Sequence, residues 1–382
     1  MSQLKLIVCG LGLIGPRHAE QIAQNRETEL IAFIDPSPKA QLIADQFNVP
    51  LYSSLTELLN AGLRPDAAYV CTPYALHVSV ALELANEGIH ILVEKPISTK
   101  VEDAIALKDC VESKGVKLLV GHHRRFNPYI LATKKHLSKL GAIIAVDGVW
   151  TLKKNDTYFK QVYWRNVKSL GGGPILINLV HDLDLLQYLM GPIKRVYAEK
   201  LSQHRDVVES DDPVDEGAVL TLSFKSGAKG TFIVSDNVIS PFNFEMGTGE
   251  NPLIPKVEDP TDGVFYRIFG TKGTLTVPDF HYYHQNDLKP GLEKGWWEPL
   301  HKTVLEKDIT GVPFALQLDH FVKYVRGEED AKCTITDGIS ALLVIEAIME
   351  SLESGAPRNV KSVSSFTSSL KNKDDDPFKS FL

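Results

Sequence analysis

The sequence predicts an α/β chain of two unequal domains: a parallel sheet covered by helices on both faces, then an α+β region with mainly antiparallel strands. Three observations predict it. The first third alternates strand and helix signals, a glycine pattern follows directly on the first apolar run, and alternating runs separated by turn residues take over after about residue 125. The division expected is 1–124 and 125–382.

The strands and helices of the first domain follow from composition and period. Leu4–Cys9 is a continuous apolar run, as a strand buried on both faces requires. Pro16 to Gln24 is helical, Leu30–Ile34 a second strand and Ala40–Phe47 a short helix. Asp66–Cys71 is a strand ending in Thr72-Pro73, and Val78–Glu87 is a helix stopped by Gly88. Ile89–Val93, the helix Val101–Ser113 and the strand Val116–Gly121 complete the series. Strands separated by single helices imply right-handed crossovers and a parallel sheet.

In the second domain, Ile143–Trp150, Val196–Ser202, Gly217–Phe224, Gly230–Ser235, Phe265–Gly270 and Gly273–Val277 alternate as strands. Ser226-Gly227 and Lys272-Gly273 are turn signals of antiparallel neighbours. Two helices are expected, Ile175–Leu189 and Ile339 to Leu352. Ser235–Gly263 has no regular period and is long for a connector, which makes it a candidate functional loop. The tail after Lys361 is rich in Ser, Lys and Asp and is expected to be mobile or packed on a partner.

Composition excludes several classes. With 43% hydrophobic and 23% charged residues the 382-residue chain is not largely disordered. A net charge of -7 argues against a nucleic-acid partner, and no apolar run reaches the roughly 18 residues that cross a bilayer. The apolar N-terminus lacks a basic flank and a cleavage site, so it is taken as a buried strand. Cys9, Cys71, Cys110 and Cys333 lack metal-ligand spacing, and the default is a reduced, cytoplasmic protein with no structural metal.

Gly10-Leu11-Gly12-Leu13-Ile14-Gly15 is a G-x-G-x-x-G pattern between a strand and a helix, and Asp35 ends a strand 20 residues past Gly15. In that context the glycines allow a tight turn and close backbone approach, and the helix N-terminus stabilises a pyrophosphate. Asp35 would accept hydrogen bonds from the adenosine ribose. A carboxylate there repels a 2′-phosphate, and Pro36-Ser37-Pro38 rather than Arg follows, which favours NAD over NADP. A glycine turn in a nucleotide-free fold is the alternative.

Glu94-Lys95-Pro96 follows the strand Ile89–Val93 at the carboxyl edge of the sheet, where ligands of doubly wound sheets bind. A Lys there can donate to a substrate oxygen and share in proton transfer. Asn178, His181, Asp182 and Asp184 fall on an otherwise apolar helix, with Asn178 and His181 on one face. Each polar group buried there without a partner would cost about 1–3 kcal/mol. A structural cap cluster is the competing reading, and Asp184 fits it best.

Together these segments resemble the glucose–fructose oxidoreductase, inositol dehydrogenase and rhizopine-catabolism (Gfo/Idh/MocA) family. The match comprises Gly10–Gly15, the stretch Cys71-Thr72-Pro73-Tyr74-Ala75-Leu76-His77, Glu94-Lys95-Pro96, and Val120-Gly121-His122-His123-Arg124-Arg125-Phe126-Asn127-Pro128. It continues with Gly171-Gly172-Gly173 with His181 and Asp184, Phe269-Gly270-Thr271-Lys272-Gly273-Thr274, and Asp337-Gly338. The resemblance implies an N-terminal Rossmann domain that binds NAD through Gly10, Gly12, Leu13, Ile14, Gly15, Asp35, Thr72, Pro73, His77, Glu94 and Lys95. It implies a C-terminal α+β domain with an open, mainly antiparallel sheet that forms homodimer or homotetramer contacts.

The implied reaction interconverts a secondary alcohol and a ketone, or a lactol and a lactone, on a sugar, sugar acid or inositol. Lys95 matches the family's catalytic lysine and His181 its proton-accepting histidine. The usual acid four residues before that histidine is Ile177 here, with Asn178 one position later. Asn178, His123, Arg124 and Tyr163 are candidates for contacts to a small polyhydroxylated substrate. The alternative is a non-catalytic NAD(P)-binding regulator of the same fold, against which the presence of both Lys95 and His181 counts.

Overall fold

The computed structural model describes residues 2–168, 171–205, 212–286 and 295–367. The chain packs as two compact units. Among the described residues, one holds 2–127, Gly311–Leu343 and 362–367; the other holds those of 128–310 and Val344–Lys361.

The first unit begins β1 (Leu4–Cys9), α1 (Gly15–Gln24), β2 (Thr28–Ile34), α2 (Gln41–Phe47), β3 (Leu51–Tyr52) and α3 (Leu55–Asn60). It continues β4 (Ala67–Val70), α4 (His77–Asn86), β5 (His90–Val93), α5 (Val101–Lys114) and β6 (Leu118–Val120). The strands pair in parallel in the order β3-β2-β1-β4-β5-β6. Leu6, Ile7, Val8, Ala68, Val70, Ile91 and Leu92 are all 0% exposed, so these strands are apolar on both faces rather than alternating. Helix ends follow local chemistry. Ser54 caps α3 by accepting from the Glu57 amide at 3.2 Å, and Gly115 ends α5 at φ 65.

The second unit contains α6 (Pro128–His136), β7 (Ile143–Thr151), α7 (Asp156–Gln161), α8 (Val180–Met190), β8 (Ile193–Lys200), β9 (Gly217–Phe224) and β10 (Lys229–Ser235). After these come α9 (Phe244–Thr248), β11 (Tyr266–Gly270), β12 (Gly273–Val277), β13 (His281–His284), β14 (His301–Val304) and β15 (Arg358–Asn359). Its sheet runs β14-β13-β12-β11-β7-β10-β9-β8-β15, antiparallel except for the β7–β10 pair. One face is core, where Trp150, Phe232 and Tyr266 are buried; Gly148 makes room there, since a Cβ would lie 2.5 Å from the Phe232 ring. The other face shows Val219 opposite Ile233, with Asp147 accepting from Thr231 and Arg267 beside them.

Two long helices follow, α10 (Pro313–Arg326) and α11 (Ile335–Ser354). α10 belongs to the first unit. Phe314 meets His18 edge-on at 5.0 Å, Phe321 meets Tyr69 at 5.6 Å, and Asn25 donates to Asp319 at 2.8 Å. The sequence reading kept residues 125–382 together and missed this return, because contacts so remote along the chain leave no periodic signal.

Three other differences have physical reasons. The helix expected over 175–189 opens with a π-helical turn, Ile175–Leu179, before α8. Such a turn admits one extra residue and changes which side chains face outward. The aperiodic stretch 235–263 contains α9, whose Phe244 lies fully in the core and whose Asn243 caps Met246. β13 and β14 were not expected, since the half-buried residues of the one and the mostly exposed residues of the other do not alternate. The tail has Phe366 buried, and beyond residue 367 it lies outside the described residues.

Candidate active site

β1 and β4 are neighbours at the point where the strand order of the first sheet reverses. The loops leaving their carboxyl ends are the glycine loop and Cys71-Thr72-Pro73, and they touch. Gly10 has φ +94, and a Cβ on it would sit 2.6 Å from the Thr72 nitrogen. A Cβ on Gly15 would sit 2.1 Å from the Gly10 carbonyl oxygen, while one on Gly12 would meet no heavy atom within 4 Å. Two glycines therefore fold the loop and the third leaves open space above it. Gly15 starts α1, which has no side-chain cap, and Leu13 is 78% exposed beside Ile14.

Asp35 stands at the end of β2 and braces the same loop. Its Oδ2 accepts from the Leu11 amide at 2.7 Å and its Oδ1 from the Ser37 amide at 2.8 Å. Carboxylate oxygens retain further lone pairs for hydroxyl donors. The Thr72 Oγ1 is buried without a hydrogen-bond partner. His77 bridges two carbonyls, Nδ1 to Pro96 at 2.8 Å and Nε2 to Thr72 at 2.9 Å. Burial lowers its pKa against the pull of those bonds. Open space at Gly12, an unsatisfied hydroxyl and an oriented carboxylate are what a dinucleotide's pyrophosphate and ribose require, so these residues fit one.

The neighbouring strand β5 delivers Glu94 and Lys95. Glu94 is 5% exposed and meets His18 Nε2 at 2.8 Å. Burial alone would raise its carboxyl, but the bond and charge of His18, with His123 and Lys95, outweigh burial and hold it at about 2. Gly121 at the end of β6 admits this carboxylate, since a Cβ there would lie 2.9 Å from Glu94 Cα. Lys95 is half-buried, its amide donates to Glu94 Oε2 at 3.1 Å, and the Lys95–Pro96 peptide is cis. His123 stacks on Phe314 at 4.4 Å, and Arg124 beside it is 4% exposed. Gly10 through Lys95, His123 and Arg124 thus gather at the carboxyl edge of one sheet.

The remaining candidates lie in the second unit. His181 is buried on α8, where Asp182 accepts a hydrogen bond from Tyr266 and Asp184 is 1% exposed. Asn178 sits on the π-helical turn, half-buried, and its Oδ1 accepts from Lys154 Nζ at 2.7 Å. Tyr163 is 65% exposed on a 3-10 turn, Tyr163–Asn166. Gly172 allows that turn to pack close, because a Cβ would lie 2.6 Å from the Arg165 carbonyl oxygen.

Lys154 and its partners escaped the sequence reading. It leaves β7, donates its backbone amide to Asp236 at 2.9 Å and pairs with the Asp236 carboxylate at 3.5 Å. Arg205 binds the same carboxylate closely, and the Lys154 ammonium lies 4.8 Å from the Tyr158 ring. Burial lowers Lys154 below its usual range against the pull of Asp236 and Glu245. Asp236 is raised by burial, opposed by Lys154 and Arg205. Nearby, Ile175, Leu176, Ile345, Met349, Lys168 and Asp215 line a cavity of about 340 Å³. His18 was also missed; its place in the first helix after the glycine loop was the available signal.

Two family models match: "Oxidoreductase family, NAD-binding Rossmann fold" over residues 4–122 and "Oxidoreductase family, C-terminal alpha/beta domain" over residues 134–361. The chain is 31% identical to an inositol 2-dehydrogenase of Rhizobium meliloti, covering 90% of this chain and 95% of that protein. It is 25% identical to a D-xylose 1-dehydrogenase (NADP(+)) of Haloferax volcanii, covering 87% and 92%. Among solved structures, the WlbA dehydrogenase of Bordetella pertussis in complex with NADH and UDP-GlcNAcA superposes with a TM-score of 0.72 at 24% identity, covering 94% of this chain and 99% of that one. The glycine loop at the strand-order switch point, the mixed nine-stranded sheet and these matches lead to one assignment: the chain belongs to the Gfo/Idh/MocA family of oxidoreductases.

Proposed function

We propose that this protein is an NAD-linked dehydrogenase that interconverts a secondary alcohol and a ketone on a small polyhydroxylated substrate, a sugar, sugar acid or inositol. The observation that carries the reading is the placement of Lys95 at the carboxyl edge of the sheet that holds the Gly10–Gly15 loop, one strand beyond β4. Family membership and the names of the relatives support the reaction class. The non-catalytic alternative is not favoured, because both Lys95 and His181 are present.

The chain's own residues divide the work. The glycine loop, Asp35 and Thr72 would hold the dinucleotide, and a bound nicotinamide would supply the two-electron acceptor chemistry. Asp35 favours NAD, since its carboxylate would meet a 2′-phosphate with like charge. Lys95 donates a hydrogen bond to the reacting oxygen, and His181 accepts the hydroxyl proton. A hydrogen-bond donor and a proton acceptor in these roles would make the encounter an oriented one. Asn178, His123, Arg124 and Tyr163 are assigned to the remaining oxygens of the substrate.

A homo-oligomer formed through the outer face of the nine-stranded sheet is part of the proposal, supported by Val219 and Ile233 at 41% and 39% exposure on paired strands. Light scattering that finds only a monomer at micromolar concentration would remove it.

The test is NADH formation across inositols, aldoses and sugar acids. In the Lys95→Ala and His181→Ala variants kcat should fall by roughly 10²–10⁴. Full activity in both variants overturns the assignment. A higher kcat/KM with NADP than with NAD overturns the Asp35 argument alone.

A further inference from the structure

The side chain of Asn178 can face Lys154 in only one way. An ammonium group has three N–H donors and no acceptor, so the amide oxygen must turn to it whatever the flip. Lys154 Nζ lies 2.7 Å from Asn178 Oδ1. The Asn178 NH₂ is therefore the group left to meet a ligand, and this position presents donors. Where the family pattern places an acid, one residue earlier, this chain has Ile177. The local polarity is inverted from acceptor to donor.

The two carboxylates that face Lys154, Asp236 and Glu245, are already engaged by protein. The Asp236 carboxylate is fully buried and held by both Lys154 and Arg205. Glu245, 6% exposed, accepts from the Trp150 indole at 2.8 Å. A substrate hydroxyl that accepts from Asn178 keeps its own proton in need of an acceptor. A carboxylate oxygen only accepts, so it takes the amide N–H groups and leaves no proton of its own to place.

We propose that Lys154 is a positioning residue that fixes Asn178 as a hydrogen-bond donor, and that the substrate group received there is a carboxylate, so that the substrate is a sugar acid. This rests on the proposed function, since it takes Asn178 as a substrate contact. Burial keeps the lysine's desolvation cost high. The charged groups around it are Asp236, Arg205 and Glu245, with the Tyr158 phenol beside them, and the acidic pair opposes that cost. Lys154 then acts through the amide, whose oxygen it holds.

The experiment compares D-gluconate with its neutral counterparts D-glucose and scyllo-inositol, using the NAD-loaded protein. Turnover and calorimetric binding are both measured, and NADH binding reports that each variant is folded. Wild type should prefer gluconate. Lys154→Met should raise KM for gluconate roughly tenfold or more, with kcat changed less than about threefold. Lys154→Arg should restore most of the affinity. Because the lysine acts through the amide, Lys154→Met combined with Asn178→Ala should be no worse than Asn178→Ala alone.

Additive losses in the double variant, or equal losses for gluconate and scyllo-inositol, overturn the inference. Preference of wild type for a neutral polyol also overturns it, while leaving the dehydrogenase reading intact. If no panel member is turned over, that reading fails. Gluconate binding then decides the inference: binding weakened by Lys154→Met supports it, and no binding to wild type sinks it.

Discussion

The glycine loop of the first unit and the Lys154–Asn178 cluster of the second are built from opposite materials. The loop is backbone: Gly10 and Gly15 fix it through close approach, and the Leu11 amide donates a hydrogen bond to the Asp35 carboxylate. The cluster is charge: Lys154, Arg205 and Asp236 share a nearly dry volume. Backbone construction is local and tolerates no Cβ, whereas charge construction joins distant segments and must offset desolvation. The first is written in six consecutive residues, and the second cannot be read from any window of the sequence.

The contrast can be strained at its stiffest point first. Gly15→Ala puts a methyl into the Gly10 carbonyl, and should destabilise the protein by roughly 3–5 kcal/mol and abolish NADH binding. Denaturant unfolding and fluorescence titration read both, and near-wild-type stability would show that the loop yields more than its contacts imply.

Glu94→Gln asks whether the first region is backbone alone. Neutralising the buried carboxylate that meets His18 should cost roughly 2–3 kcal/mol at pH 7, since the amide keeps the shape and part of the hydrogen bond but not the charge. The folded carboxyl lies at about 2, beneath its ordinary 4.5, so its contribution is present above pH 4.5 and is lost as pH falls towards 2. Unfolding free energies of wild type and variant should converge across that window, and a constant gap would locate the effect in packing instead.

Asp215→Asn probes the second region from its cavity side, where the carboxylate Oδ1 has no hydrogen-bond partner. Burial, then the charge of Asp236, lifts the Asp215 carboxyl from 3.8 to about 6. The folded state holds this proton longer than the unfolded chain, so wild type loses stability as pH rises from about 4 through about 6. The amide removes that loss. The variant should be more stable by about 3 kcal/mol at pH 8, with little gain at pH 4. A destabilised variant at pH 8 would mean that the charge is compensated after all.

Legibility followed the same division. The strands of the first sheet, the glycine loop and Asp35 were readable because continuous apolar runs and a fixed spacing encode them. The edge strand Leu51–Tyr52 is too short to show a pattern. The positions of Lys95 and His181 in their segments were readable, but the partner of Asn178 was not. Lys154 is 24 residues away and meets it on a π-helical turn that no periodic pattern announces. Asp236 lies at the end of another strand, and nothing in Ser235-Asp236-Asn237 announces a buried charge.

The return of Gly311–Leu343 to the first unit sets a timetable for synthesis. The strands of that unit are complete by Val120, yet the helix that covers His18 and Tyr69 starts at Pro313. At about 5–20 residues per second the ribosome needs roughly 10–40 s to bridge that interval. Throughout it the nascent nucleotide fold carries a bare aromatic patch that chaperones can bind. A premature stop before Gly311 makes that exposure permanent, so such fragments should be cleared rather than accumulate as working cofactor-binding domains.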